Sequence, residues 1–245
     1  MTDRNIISKI YHSIEAGRDQ QILEIGPGTG ALTEFLLKKY RQLSVIEVDE
    51  RAVRILEDKF PGLTIFNRDV LKVDWNTLID RTKGKAVIVG NLPYYISSPI
   101  LFSVLDQRLL FDRAYFMLQK EVAERIVSKS GSKAYGILSV QCQLMSSPKI
   151  LFHVSPKSFS PPPKVESSII ELEFQHHELK CRTNNLKKVV RTAFNQRRKK
   201  LSNALKPVLG DFIPRGFNLD QRAENWTPQN YEKLTVYLEE HGILS

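Results

Sequence analysis

Residues 91–99 combine an amide, a rigid turn and two aromatic rings directly after a predicted strand. The run Ala86 to Gly90 is apolar and β-branched, which is typical of a buried parallel strand. Asn91 therefore lies where open α/β sheets bind their ligands. Pro93 fixes its own φ and biases Leu92 away from the helical region, so the nearby backbone carbonyls point in set directions.

This arrangement suits chemistry on the exocyclic amine of adenine, whose lone pair is delocalised into the ring. If the Asn91 side-chain oxygen and a backbone carbonyl accept both amine hydrogens, a pyramidal nitrogen with a free lone pair is favoured. Tyr94 could stack on the base. A strand-ending turn with Tyr94 and Tyr95 in the core is the alternative that turn statistics support.

A glycine-rich stretch from Glu24 to Gly30 separates a predicted strand from a predicted helix, where small residues let the backbone approach a ligand closely. Gly26, Gly28 and Ala31 also satisfy the loose dinucleotide fingerprint, and Glu47 is placed to bind ribose hydroxyls. The pattern alone therefore leaves a nicotinamide cofactor and S-adenosylmethionine both open.

Three acids, Glu24, Glu47 and Asp69, follow or end three predicted strands. A pyrophosphate would be repelled by so acidic a cleft, whereas a cationic amino-acid tail would be attracted, so the acids favour S-adenosylmethionine. Each acid taken singly fits a helix cap or a surface position better. Asp49 is expected to cap the helix that starts near Ala52, which leaves Glu47 as the predicted ribose ligand.

Histidine and cysteine patterns argue against a metal site. The stretch His176-His177-Glu178 matches the first half of a zinc-deaminase signature, but no Pro-Cys-x-x-Cys follows. Cys142 and Cys181 are far apart in sequence and offer neither a metal knuckle nor a disulfide framework. We therefore expect no metal.

The composition is that of a globular protein. At 245 residues and 42% hydrophobic, the chain can bury a full core. No apolar run approaches the roughly 20 residues of a membrane span. The polar start at Met1 has no signal-peptide layout, which predicts a cytoplasmic protein without a membrane partner; we also expect a monomer.

The net charge of +9 is concentrated in residues 179–210, which hold ten of the 36 Lys and Arg residues and no acid. The rest of the chain has 26 basic against 27 acidic residues. Such a segment is the footprint expected for contact with RNA or DNA phosphates, while a solvated helical face is the alternative. The candidate RNA-binding residues are Arg191, Arg197, Arg198, Lys199 and Lys200.

Hydrophobic periodicity predicts alternating strands and helices, hence a doubly wound, mostly parallel sheet. A stiff, proline-rich loop at 158–164 could hold Phe159 in place. After Phe174 only helices are predicted, and we place a domain boundary near 176, giving domains 1–176 and 177–245. Predicted strands are 21–25, 43–48, 63–66, 86–89, 114–118, 144–152 and 167–174, the last antiparallel; predicted helices are 5–16, 31–40, 52–59 and 120–129.

Taken together, these motifs resemble the ribosomal RNA adenine dimethyltransferase family in identity, order and spacing over nearly the whole chain. The chain is most similar to the small-subunit (16S) branch rather than to the large-subunit erythromycin-resistance methylases. The motifs that carry the resemblance are Glu24 to Gly30, Glu47 to Asp49, Asp69 to Leu71, Asn91 to Tyr94, Phe159 to Ser168, Phe194 to Lys199 and Arg222 to Asn225.

The resemblance implies a Rossmann-like, S-adenosylmethionine-dependent methyltransferase with a small C-terminal helical domain. It implies dimethylation of the N6 amines of two adjacent adenosines near the 3′ end of 16S rRNA, in the small ribosomal subunit. The implied cofactor ligands are Glu24, Gly26, Gly28, Gly30, Glu47 for the ribose, Asp69 with Val70 for the adenine, and Asn91. The implied catalytic set is Asn91, Leu92 through its carbonyl, Pro93, and Tyr94 with Phe159 around the target base.

One departure concerns the start of the chain. Family members usually carry a Gly-Gln-x-Phe-Leu stretch just before the Thr-Asp-Arg-Asn seen here, and its absence leads us to expect looser closure over cofactor and substrate. Two other functions share parts of the pattern. DNA adenine methylation uses a similar turn, but nothing resembles a target-recognition domain; an RNA-binding assembly or transcription factor would keep the fold, but the intact 91–94 turn argues for chemistry.

Overall fold

The structure, a computed structural model, describes residues 3–174 and 179–245. Seven strands form one sheet and are β1 (Gln21–Ile25), β2 (Gln42–Glu47), β3 (Thr64–Asn67), β4 (Ala86–Asn91), β5 (Phe111–Gln119), β6 (Ser146–Val154) and β7 (Ser167–Phe174). The helices are α1 (Arg4–Ser13), α2 (Thr33–Lys39), α3 (Glu50–Lys59), α4 (Ser97–Asp106), α5 (Lys120–Val127), α6 (Ile137–Met145), α7 (Thr183–Asn195), α8 (Leu201–Ala204), α9 (Lys206–Leu209) and α10 (Pro228–Glu240).

The strand order is β3-β2-β1-β4-β5-β7-β6, with β1 to β5 mutually parallel where they pair and β7 antiparallel to β5. The predicted doubly wound α/β fold and the antiparallel last strand are confirmed. The order changes direction between β1 and β4, and ligands of such sheets bind outside the carboxyl ends of the strands at this switch point.

The central strands are apolar because the sheet is covered on both faces. Ile22 of β1 and Val87 of β4 are fully buried, and they belong to a cluster with Ile10 of α1 and Leu36 of α2. This packing holds α1 and α2 on one face of the sheet. It thereby fixes the carboxyl ends of β1 and β4, where the predicted site residues lie.

Aspartate caps set two of the helix starts. The Asp3 carboxylate accepts from the backbone N–H of Asn5 at 2.9 Å, and Asp49 accepts from that of Arg51 at 2.9 Å. The expected capping role of Asp49 is therefore confirmed, although α3 begins before Ala52. α1 ends earlier than predicted because Ile14 is extended.

The predicted strand at 144–152 is wrong at its start, since Leu144 and Met145 end helix α6 and β6 begins at Ser146. α6 is buried almost all round, so its sequence lacks the amphipathic spacing that identifies a surface helix. Gly136 marks its start by donating its N–H to the Ser139 hydroxyl at 3.0 Å. The sequence pattern predicted no helix at the position of α4.

The chain divides into two compact units. The first contains residues 3–123 and 148–174, and the second contains 124–147 and 179–245. In the second, α6 packs with α7 and α10. The predicted boundary at 176 falls outside the described residues and stays a prediction. No helix in the described ranges is long and apolar enough to cross a membrane.

Candidate active site

A pocket opens at the carboxyl ends of β1 and β4, within the first unit. The polar part of its lining is formed by the glycine-rich loop, a buried carboxylate and the amide that ends β4. The rest of the lining is mostly apolar and includes side chains of α1, β4, β5 and β7. The lining residues are Ile10, Glu24, Gly26, Pro27, Gly28, Thr29, Ala31, Leu32, Val89, Gly90, Asn91, Tyr115, Met117 and Ile169.

The three predicted loop glycines have different tasks. Gly26 and Gly28 adopt positive φ values of 65° and 56°, and both line the pocket. A Cβ on Gly28 would meet nothing within 4 Å, so the loop leaves open space for a ligand. At Gly30 a Cβ would lie 2.4 Å from Cε2 of Phe60, which shows that this glycine serves packing against α3.

Glu24 is a buried carboxylate in the pocket wall, only 3% exposed. Its Oε2 accepts from the Thr33 hydroxyl at 2.7 Å. Burial raises its pKa to about 7, the Thr33 hydrogen bond opposes this rise, and the charge of Glu47 adds to it. A buried carboxylate that forms no ion pair with any residue the structure describes favours a cationic ligand group.

Glu47, the last residue of β2, is held against the glycine-rich loop. Its Oε2 accepts from the N–H of Gly28 at 3.1 Å. Its Oε1 accepts from the N–H groups of Val48 at 2.8 Å and Asp49 at 3.0 Å. The carboxylate is thus oriented beside the pocket before any ligand binds, while the Asp49 carboxylate is committed to its cap.

Asp69 and Val70 follow β3, two strands away from β1. The Asp69 carboxylate accepts from the Leu71 N–H at 3.0 Å and lies 3.7 Å from the Lys72 ammonium. Val70 is buried. The structure does not bring these two residues into the lining of the pocket that contains Glu24, and their predicted contact with a cofactor adenine stays a prediction.

Asn91 is the last residue of β4 and projects an exposed side chain at the mouth of the pocket. Gly90 before it is required for strand pairing, because a Cβ there would lie 2.9 Å from the Ile25 carbonyl oxygen. After it, the Leu92 N–H donates to the Met117 carbonyl at 3.3 Å and the Leu92 side chain is buried. The turn is therefore rigidly attached to β5.

The two tyrosines of the turn differ sharply in solvent exposure. Tyr94 is half-buried, and its hydroxyl is 2.6 Å from the Ser167 hydroxyl at the start of β7. Tyr95 is 86% exposed. The alternative in which both rings are core residues is thus wrong for Tyr95, and only Tyr94 has its ring orientation fixed by a partner.

Phe159 follows a 3₁₀ turn that is tied to the start of α1. The Asp3 N–H donates to the Ser158 carbonyl at 3.3 Å, and the Ser158 hydroxyl lies 3.3 Å from an Asp3 carboxylate oxygen. The ring is partly buried against the apolar cluster under α1. Among the described residues, Phe159 is not part of the pocket lining, so its role beside a target base stays a prediction.

Sequence reasoning missed the apolar part of the pocket lining and its support. Tyr115 on β5 donates its hydroxyl to Glu171 Oε1 at 2.9 Å and accepts from the Glu15 N–H at 3.1 Å. Burial is the main cause that raises the pKa of Tyr115. Arg113 also binds Glu171, at 2.6 Å. These residues carry no local motif, because strand pairing and the position of α1 bring them together.

The predicted RNA-binding residues lie in the second unit, and one of them is engaged internally. Arg197 forms an ion pair with Glu224 and donates to the Ser132 carbonyl at 3.3 Å. Lys200 pairs with Asp220 at 2.9 Å, but both side chains are largely exposed.

The other three predicted cations, Arg191, Arg198 and Lys199, are exposed. Helix α7 ends at Asn195, so 197–200 form a turn after it rather than a continued helical face. Over the described ranges, no cluster of His, Cys, Asp and Glu could hold a metal ion.

Comparison with known proteins gives consistent findings. A sequence profile described as Ribosomal RNA adenine dimethylase matches residues 1–238. Ribosomal RNA small subunit methyltransferase A of Salinibacter ruber is 39% identical over 98% of this chain and 82% of its own length; that of Parabacteroides distasonis is 41% identical over 98% and 91%.

Two solved structures match the whole chain. A dimethyladenosine transferase from Plasmodium falciparum has a TM-score of 0.80 and 26% identity, and the match covers 99% of this chain and 98% of that one. The 23S rRNA methyltransferase ErmE has a TM-score of 0.71 and 23% identity over 98% and 99%, and it shares the fold.

Proposed function

The chain belongs to the ribosomal RNA adenine dimethylase family, and on that premise we propose that it dimethylates the N6 amines of two adjacent adenosines near the 3′ end of 16S rRNA. The reaction is coupled to maturation of the small ribosomal subunit. The relatives named Ribosomal RNA small subunit methyltransferase A support this substrate. The observation that carries the proposal is the Asn91 amide at the mouth of a pocket formed by Glu24 and the glycine-rich loop.

The pocket fits S-adenosylmethionine, the cofactor of this enzyme family. Gly26 and Gly28 leave space where side chains would obstruct a ligand. Glu24 presents a buried carboxylate to a cationic amino-acid tail, and Glu47 presents acceptor oxygens to ribose hydroxyls. When bound, S-adenosylmethionine supplies an electrophilic methyl group.

Asn91 acts on the target amine. Its side-chain oxygen and the Leu92 carbonyl accept the two amine hydrogens, which favours a nitrogen whose lone pair is free. Neither group has to ionise. The rigid attachment of the turn to β5 keeps both acceptors in place, so little reorganisation is needed during the reaction.

The target adenine has to leave its stack to reach this turn. Tyr94 offers a ring whose hydroxyl is fixed by Ser167, which is suited to stacking on the base. Phe159, half-buried after its own anchored turn, supplies the second aromatic surface in our proposal. Pro93 limits the conformations of the turn between them.

RNA docking relies on the exposed cations of the second unit. Arg191, Arg198 and Lys199 are available to phosphates, and Lys200 is only weakly held by its exposed partner. Arg197 instead stabilises the turn through Glu224. We further propose a monomer that acts in the cytoplasm; a single chain already carries both the pocket and the basic segment.

The proposal is tested by incubating the protein with radiolabelled S-adenosylmethionine and small subunits from cells that lack this methylation, and then mapping the labelled nucleotides. We expect label on the N6 positions of two adjacent adenosines near the 3′ end. Label at another nucleotide or in another RNA would contradict the substrate. RNA binding without any transfer would indicate a non-enzymatic assembly factor.

A further inference from the structure

The outer surface of α1, α2 and the end of α3 carries a group of cations far in sequence from the basic segment at 179–210. We call it the helix-face patch. Most of its side chains are exposed, and all belong to the first unit. Its members are Arg4, Lys9, Lys38, Lys39 and Lys59.

Aromatic rings lie directly beneath these cations. The Lys9 ammonium is 4.1 Å from the centre of the Phe152 ring, and the Lys38 ammonium is 4.9 Å from that of Phe35. Lys39 lies 5.7 Å from the Tyr11 ring. Such contacts hold the ammonium groups near fixed positions without neutralising their charge, whereas solvated surface lysines are free to move.

The patch has an excess of positive charge around one carboxylate. Arg4 and Lys38 each lie 3.8 Å from Glu34, and Lys59 lies 3.5 Å from it. Three cations thus share one negative charge. Lys9 adds a further charge without an acidic partner among the described residues, so the group has a net positive charge that attracts an anionic ligand.

The patch also borders the candidate active site. A shallow depression is lined by Arg4, Glu34 and Lys59 together with Thr29 and Ala31. Thr29 and Ala31 also line the active-site pocket. A polyanion lying in this depression would therefore pass next to the glycine-rich loop.

We propose that the helix-face patch binds the phosphate backbone of the RNA strand that flanks the target adenosine. The inference rests on the proposed function, because that function supplies the polyanion. The patch as a whole has the positive excess that a phosphate backbone balances. Lys9, Lys38 and Lys39 are held over aromatic rings, and Arg4 and Lys59 line the depression. The basic segment would then dock the RNA as a whole, and the patch would hold the strand near the chemistry.

The test compares two double variants that remove equal charge. Lys9→Gln with Lys38→Gln alters the patch. Arg81→Gln with Lys83→Gln alters exposed cations just before β4, at the amino ends of the strands, opposite the pocket. Binding of a protein-free RNA hairpin from the 3′ end of 16S rRNA is measured over a series of KCl concentrations, and unfolding temperature and S-adenosylmethionine affinity are measured for each variant.

We expect the patch variant to lose about 0.7 to 0.9 from the log–log salt slope for each phosphate contact removed, hence up to about 1.8 for the pair. The Arg81 and Lys83 variant should match the wild type, and cofactor affinity should be unchanged in both. Equal slopes for wild type and patch variant would overturn the inference.

Two other outcomes also contradict the inference that the patch binds RNA. If the patch variant binds the hairpin normally but binds intact small subunits weakly in a parallel assay, the patch contacts a ribosomal protein. If the wild type itself neither binds the hairpin nor methylates subunits, the proposed function fails together with the inference. Normal methylation by the wild type combined with equal slopes would reject the patch alone.

Discussion

The pocket at the strand ends and the basic segment at 179–210 use their charges differently. At the pocket, Glu24 in the wall is held by a hydroxyl, and Glu47 beside the glycine-rich loop is held by backbone N–H groups, before any ligand arrives. In the basic segment, Arg198 and Lys199 extend into solvent, whereas the residue before them, Arg197, forms an ion pair with Glu224. The pocket is preorganised for one small ligand, whereas the segment offers adaptable contacts to a polyanion.

Position in the sequence predicts a functional role at the ends of parallel strands but not within a run of cations. A residue at the carboxyl end of a parallel strand lies at the ligand edge of the sheet whatever its neighbours do, so Glu24, Glu47 and Asn91 could be identified from the strand pattern. A cation in a charged run has no such constraint. Its role depends on whether an acid from elsewhere in the fold reaches it.

The largest effect is expected at Asn91. Asn91→Ala should reduce the single-turnover rate of methyl transfer by on the order of a hundredfold or more, because one preorganised acceptor for the target amine is lost. Affinity for S-adenosylmethionine, measured by calorimetry, should change little. Tyr95→Ala is the matched control, since that ring is exposed and has no proposed role. Normal turnover in the Asn91 variant would remove it from the mechanism.

Glu47→Ala should weaken S-adenosylmethionine and S-adenosylhomocysteine alike, by about tenfold to a hundredfold, since hydrogen bonds to a charged group typically contribute about 1.5–3 kcal/mol. Asp49→Ala should instead lower the unfolding free energy by about 0.5–2 kcal/mol through loss of the α3 cap, with cofactor affinity retained. The reverse pattern in calorimetry and denaturation would exchange the two assignments.

Glu24 should make cofactor binding depend on pH. Its pKa is raised to about 7 in the ligand-free protein, and a cationic ligand favours the ionised form. Affinity for S-adenosylmethionine should therefore rise up to about tenfold per pH unit below pH 7 and level off above it, with proton release seen in calorimetry. Glu24→Gln should bind weakly and without this dependence.

The raised pKa of Glu24 also makes the free energy of unfolding depend on pH. This stability falls as pH rises, whereas the affinity for S-adenosylmethionine increases. A carboxyl whose folded pKa lies above its unfolded value of 4.5 binds more protons in the folded state at intermediate pH. The ligand-free protein should thus lose stability as pH rises from about 4.5 to about 7. A smaller loss in Glu24→Gln, measured by urea denaturation, would identify Glu24 as the source; identical curves would refute the buried ionisation.

The smallest expected effects on stability and RNA binding distinguish the roles of two adjacent arginines. Arg197→Gln should lower the unfolding free energy by about 1 kcal/mol, because its ion pair with Glu224 is partly exposed, and should leave the salt slope of RNA binding unchanged. Arg198→Gln should leave stability unchanged and reduce the slope by about 0.7–0.9. If both variants reduce the slope equally, the basic segment acts as one undivided surface.

Local pattern sufficed for the strands and the turns that follow them. The apolar runs 21–25 and 86–89 identified central strands, and the motifs at their ends identified the pocket. Pattern failed at 144–145, the start of the strand predicted at 144–152, because a helix buried almost all round and a strand are both apolar in sequence. The close packing of Gly30 against Phe60 could not be read from the sequence, since the two residues are far apart in the chain; the predicted cofactor contact of Gly30 stays a prediction.

The sequence by itself determined the order of the strands along the chain and which residues lie at their carboxyl ends, since hydrophobic periodicity and turn residues are local. Only the tertiary structure decided which groups face each other. It placed Tyr115 and Ile10 in the lining of the pocket, buried Glu24 enough to raise its pKa, and paired Arg197 with Glu224. Burial and pairing depend on chain segments that meet only after folding, so no local spacing encodes them.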